Sequence, residues 1–394
     1  MTVGVLGQRG TRSVLDFGAQ GAISPANLAA IPQETVLFQA AIDDSPAGGA
    51  VHVPERYWKV GALQNPRQIR LFGDGWWSNH LAAYGVGGWL VPSNHGGTVI
   101  FSTAPGIALN HDALSGSRFN VDHLALIGPG TAGSVGVKLG TATRYSLDNR
   151  WDDVLIANFD KGLDFYFAMG GQYDNVKVRG TNTFALSLAD FCNATLWNNY
   201  HQEYTGVDGV IFGAGGPHKF VGGISQNIVG TGFRASLATS ELVELLGMYY
   251  EAHSGGAGFH VDFAAGSHHG LGGNYHFSSN GGNVRMGCNN GYVGPGRGNG
   301  NTITNTGIAN KFEAPGMGFA GGVDGGTGPI YIFPSSTLGR FHSKNGVFQP
   351  GSSTTAARPS AVTALVGAMW YDTTLGKPIF SDGAVWRDAA GAAV

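Results

Sequence analysis

Charge is scarce in this sequence. Asp, Glu, Lys and Arg make up 12% of its 394 residues, about half the roughly 25% usual in globular chains. With a net charge of −3 and no basic run, the electrostatic footprint of a nucleic-acid surface is missing. A neutral or anionic polymer held by local contacts is compatible with that balance. Only two cysteines occur, Cys192 and Cys288. They are too few for a disulfide framework and wrongly spaced for a zinc motif, so both read as buried free thiols. No stretch approaches the ~20 apolar residues of a membrane helix, and the opening MTVGVLGQRGTRS has no apolar signal core. These absences predict a protein that does not insert into a membrane and is made without a signal peptide.

What is abundant is glycine, 66 residues of 394, more than twice the usual roughly 7%. There is no glycine at every third position, and large apolar residues run throughout, which excludes collagen-like and disordered chains. One short helix is predicted over Gln33 to Asp43, with Val36, Leu37, Ala40 and Ala41 on one face. Beyond it, strand signals alternate with Gly, Asn and Asp as far as about residue 312. Eight segments align with Leu124, Val154, Val176, Tyr200, Ile224, Met248, Tyr275 and Ile303 in one apolar column. A turn column, Asp122, Asp152, Asp174, Asn198, Gly222, Leu246, Gly273 and Asn301, almost all turn formers, stands two places before it. A short strand that starts at a turn and recurs every 22 to 30 residues fits a solenoid whose coils stack on one another, whereas propeller blades need about 40 residues.

Two segments carry a resemblance. VLDFGAQG (Val14 to Gly21), followed by a short helix and GGAVHVP, resembles the opening of the pectate-lyase-like right-handed parallel β-helix proteins, bacteriophage tailspikes above all. Asp16, Phe17, Gly18, Ala19, Gly21, Gly48, Gly49, Val51 and Pro54 match. The intervening AISPANLAAIPQET departs from the acidic stretch usual there. The second segment, Ala357 to Gly391, contains YDTTLGKPIF and is similar to a C-terminal module of phage tail proteins. The resemblance implies an all-β protein with residues 1–47 as N-terminal segment and capping helix, 48–333 as parallel β-helix, 334–356 as linker and 357–394 as tail module. It further implies a homotrimer on a virion tail or baseplate, made in the bacterial host cytoplasm, that cleaves a capsule, exopolysaccharide or O-antigen and needs no cofactor. A non-catalytic receptor-binding or structural tail protein is the alternative.

Alternation along the strands predicts an outward patch over four coils: Lys177, Arg179, His201, Glu203, Asn227, Tyr249 and Glu251, with His276 one coil further. Glu203 and Glu251, two coils apart, suit the acid and base of an inverting glycosidase. Lys177, Arg179, His201, Asn227 and Tyr249 are the expected substrate-binding residues. In a lyase, Arg179 or Lys177 would neutralise a uronate and His201 or Tyr249 would take its proton. Arg179 beside Glu203 equally suits a plain salt bridge between coils. His268 and His269 lack the paired ligands of a metal site, GPGRGNGN (Gly294 to Asn301) reads as a loop, and Trp76, Trp77, Tyr84 and Trp89 suit either sugar stacking or packing.

Overall fold

In a computed structural model, the described residues are 10–23, 28–65, 68–78, 95–112, 118–252, 259–278, 283–294, 296–297, 302–307, 310–313, 321–324, 331–333, 351–358, 360–361 and 367–394. The chain divides into two units, residues 1–335 and 336–394. The first is a parallel β-helix of about nine turns. Its strands form one 18-stranded and one 11-stranded sheet in which successive coils pair in parallel.

The coil beginning at Arg150 shows the plan. A strand Arg150–Ala157 is followed by Lys161–Phe165 in the second sheet and by the short Ala168–Met169. The first strand is bent at Asp153, which adopts a left-handed conformation with φ 52°. Asn175, Asn199, Gly222, Gly247 and Asn274 occupy the same corner in later coils, all with positive φ. Asn and Asp tolerate this conformation because their short polar side chains bond locally. Here the Asn199 amide donates to the Asn175 side-chain oxygen one coil away at 2.6 Å. A second left-handed corner follows at Asn158, Gly180, Tyr204, Asn227 and Ala252. In these five coils four residues separate the two corners, giving a limb at 154–157, 176–179, 200–203, 223–226 and 248–251.

The bend explains WNNYHQEYTG, which obeys no simple alternation. Trp197 and Tyr200 are both buried, with Asn198 and Asn199 turned outward between them. The left-handed residue inserts one extra step and resets the phase. Inward positions of the two limbs and the second sheet stack into one core: Trp151, Tyr173, Trp197 and Phe220 lie on successive coils, and the Tyr173 and Trp197 rings stack at 4.0 Å.

The apolar column holds its register from Leu124 through Val154 to Val176. It slips by one residue at Ile224: Tyr200 faces Gly223, and Ile224 pairs with His201 on one side and Tyr249 on the other. Gly223 is required there because its φ is 106° and a Cβ would lie 2.0 Å from the Tyr200 carbonyl oxygen. Ile303 belongs to the second sheet, paired with Val284. The corner column itself is one residue later than the aligned Asp122, Asp152, Asp174 and Asn198.

At the N-terminal end the helix spans Thr35–Asp44 and buries Phe38, Ala41 and Ile42. Val36 is 78% exposed, so the buried face is rotated from the one expected, with Leu37 only partly buried against the core. Phe38 meets Trp58 edge to face at 5.3 Å. The Glu34 carboxylate accepts the backbone N–H groups of Gln20 and Gly21, which ties the VLDFGAQG turn to the helix start.

The second unit is a four-stranded sheet of Gly351–Ser353, Met369–Asp372, Lys377–Ser381 and Trp386–Asp388. Ile379 and Trp386 pack with Ala361 in its core, and Arg358 pairs with the fully buried Asp372 at 3.0 Å. Gly351–Ser353 therefore lies in the module, within the stretch read as linker. Residues 334–350 of that stretch lie outside the described residues.

Candidate functional site

The outward positions of the four-residue limb form two columns. One runs Ala125, Leu155, Lys177, His201, Ile224, Tyr249 and His276; the other runs Ile127, Ala157, Arg179, Glu203, Gln226 and Glu251. Their first coils are apolar and covered: Ala125, Ile127, Leu155 and Ala157 form a second buried cluster with Tyr57, Val99 and Phe101, and Trp76 packs against it. The Trp76 indole N–H donates to the Asp153 carbonyl, and the Lys177 ammonium lies 5.1 Å from its ring. Trp76 thus closes the apolar end of the face. Tyr84 and Trp89 lie outside the described residues, as does the Trp77 side chain.

From Lys177 onward the columns are polar except at Ile224, which stands between His201 and Tyr249. Arg179 and Glu203, on adjacent coils, are 1% and 3% exposed and form an ion pair with Nε to Oε2 at 2.9 Å. The Tyr204 ring covers the Arg179 guanidinium at 5.4 Å. Gln226 donates to Glu203 Oε1 at 2.5 Å. His201 Nε2 stands 3.7 Å from Glu203 Oε2, and its pKa is lowered to about 4 by burial and by the Lys177 and Arg179 charges. At neutral pH it is an uncharged imidazole. Tyr249, Glu251 and His276 are half-buried, with the Tyr249 and His276 rings edge to face at 5.3 Å.

The structure thus brings Lys177, Arg179, His201, Glu203, Tyr249 and Glu251 onto one face. Glu203 and Glu251 share a column with Gln226 between them, so their backbones are two rungs, roughly 9–10 Å, apart. Asn227 does not join them. It occupies the left-handed corner at φ 53°, and Gln226 has the place assigned to it, a direct consequence of the slip at Gly223. Ser225 turns inward and accepts a hydrogen bond from the buried Gln202 at 2.8 Å. Sequence reasoning also missed the rung Gly296–Arg297, which pairs with Tyr275–His276 inside the supposed loop. Counting from the corner residues finds Gln226.

His269 is a core residue whose Nδ1 accepts the Val243 N–H at 3.2 Å, and His268 turns a corner at φ 59°. Among the described residues no group of three or more His, Cys, Asp or Glu side chains is placed to hold a metal ion. Both cysteines are buried, with burial raising each thiol to about 12.

No family model and no curated protein matches the sequence. Among solved structures, the catalytic unit of the α-1,3-glucanase of Streptomyces thermodiastaticus is 14% identical, with a TM-score of 0.50 over 85% of this chain and 68% of that one. Tailspike protein 3 of bacteriophage CBA120 is 12% identical, with a TM-score of 0.46 over 98% and 70%. Tailspike gp49 of Acinetobacter baumannii bacteriophage Fri1 is 10% identical, with a TM-score of 0.43 over 85% and 65%. The glucanase likeness shows the fold: this chain is a parallel β-helix protein.

Proposed function

We propose that this chain cleaves a bacterial surface polysaccharide during phage adsorption, along the outer face of the four-residue limb. One observation carries the reading. On that face an apolar, covered stretch gives way over consecutive coils to Lys177, His201, Glu203, Gln226, Tyr249 and Glu251, interrupted by Ile224 between His201 and Tyr249, a lengthwise, mainly polar track matching an extended chain of sugars. Glu251, half-buried and paired with no guanidinium among the described residues, is the group to exchange a proton at the glycosidic bond, and Glu203 is its partner carboxylate across Gln226. Lys177, Arg179, His201 and Tyr249 shape the track. The α-1,3-glucanase named above supports a polysaccharide as the kind of polymer such a groove accepts. The tailspike setting, with a homotrimer attached to a tail or baseplate protein, rests on the VLDFGAQG and YDTTLGKPIF segments.

A second reading has its own support. Arg179 and Glu203 are both buried, the guanidinium beneath the Tyr204 ring, which suits a structural ion pair in a non-catalytic receptor-binding tail protein. Incubation with purified bacterial capsules and O-antigens separates the two: new reducing ends mark hydrolysis, ultraviolet absorbance of an unsaturated sugar marks elimination, and binding with neither product supports the second reading. Light scattering that gives a monomer refutes the trimer.

A further inference from the structure

The corner where the second sheet returns to the first limb carries a feature the limb face does not use. Tyr145, Phe167 and Phe191 stand there on three successive coils, with ring centroids 5.8 Å and 5.3 Å apart. Phe167 and Phe191 have φ of 50° and 62°, a conformation that costs an L-residue roughly 1–2 kcal/mol relative to glycine. On the next coil the positive-φ residue is Gly215, which pairs with Cys192, one place after Phe191. Phe191 is nevertheless 59% exposed. Beyond its contact with Phe167, the Phe191 ring is left in water on a strained backbone, and strain of this kind concentrates at functional sites.

The size of the feature selects its occupant. Three rings, two of them half-buried, offer on the order of 300 Å², well below the ~800 Å² per partner of a stable protein interface. They form a strip one ring wide whose spacing follows the coil rise of roughly 4.8 Å, about the length of one pyranose unit. Pyranose rings present C–H faces to aromatic rings and hydroxyl groups to their edges. The exposed Asp190 and Asn193 next to Phe191 supply partners for those hydroxyls.

We propose that Tyr145, Phe167 and Phe191 form a polysaccharide-anchoring site, one ring per sugar unit, separate from the limb face. The proposal rests on the reading that the polymer bound is a polysaccharide. Its test uses Phe191→Gly and Phe167→Gly in the full chain, since glycine removes the ring and relieves the left-handed strain, so folding is retained. Retardation in native gels containing each of a panel of purified bacterial capsular and O-antigen polysaccharides is measured alongside cleavage. Each variant is expected to bind the retarding polymer about tenfold more weakly, the upper range for one aromatic contact. KM for the polymer rises, while kcat on short oligosaccharides and the oligomeric state stay unchanged. Retardation lost in the variants of a chain that cleaves nothing supports the anchor and refutes the catalytic reading. Cleavage with unchanged retardation refutes the anchor alone. A wild-type chain neither retarded by nor cleaving any polymer refutes both, and a change of oligomeric state shows the rings to be a subunit contact, which overturns the anchor.

Discussion

Replacing each carboxylate of the limb face by its amide separates a catalytic role from a structural one. Glu203 is 3% exposed and paired with Arg179, itself 1% exposed. Glu203→Gln leaves the guanidinium buried beside a neutral group, and removing one member of a buried ion pair costs about 3–5 kcal/mol. Against a typical total stability of about 5–15 kcal/mol, such a loss is visible in any urea titration. Glu251 is half-buried, so Glu251→Gln is expected to change stability by no more than about 0.5 kcal/mol. Its effect belongs in turnover, a fall of about 10² to 10⁴ if it exchanges a proton in the transition state.

The assay is therefore two-dimensional: urea unfolding followed by circular dichroism, and reducing-end release at a temperature where every variant is folded. A third variant fixes the cause. Arg179→Met combined with Glu203→Leu removes both charges and fills the space with apolar groups, so it should recover most of the stability lost in Glu203→Gln. If Glu203→Gln unfolds at the wild-type urea concentration, the ion pair is not the structural element its burial indicates. If Glu251→Gln keeps full turnover, the limb face is not the site of proton transfer and attention moves to His276 and Tyr249.

Three further outcomes are expected. Burial, aided at His201 by the Lys177 and Arg179 charges, holds His201 and His269 at about 4 and His218 at about 3, below the ordinary ~6.5. Their contribution is therefore complete above pH ~6.5 and is lost as pH falls toward those values, about 2 kcal/mol each at pH 5; equal urea midpoints at pH 7 and pH 5 would contradict this. At the cap, Phe38→Asp should aggregate because it places a charge in the end of the core, whereas Val36→Asp, at a 78% exposed position, should remain soluble; equal behaviour of the two refutes the orientation of the helix. In the tail module, a fragment starting at residue 351 should give a cooperative thermal transition, and one starting at 357 should be less stable because it lacks the strand Gly351–Ser353 paired with Trp370–Asp372; identical melting would show that strand to be dispensable.

The class of fold was legible because solenoid coils repeat the same demands. Each coil needs residues that tolerate left-handed corners, and Asp153, Asn175 and Asn199 announce them in sequence. The register failed where a residue fits two roles. Gly223 resembles a turn residue and Ile224 a core residue, so a spacing of 24 looked natural where the coil takes 23. The backbone decides otherwise, because at Gly223 it approaches the Tyr200 carbonyl too closely for any Cβ. That one-residue difference exchanged Gln226 for Asn227 beside Glu203, since a strand slipped by one turns each side chain to the opposite face. The Arg179–Glu203 pair was legible as a salt bridge between coils, but its depth of burial was not, because alternation within one strand does not encode how Tyr204 folds over the guanidinium of the coil before. The constant four-residue limb supplies the remedy. Because the limbs from 154–157 to 248–251 are each bracketed by two left-handed corners, the residue just before the second corner is an outward one, and Arg179, Glu203, Gln226 and Glu251 follow from the corners Gly180, Tyr204, Asn227 and Ala252. In a solenoid of this kind the corners fix which side chains share a face, and the apolar residues between them follow.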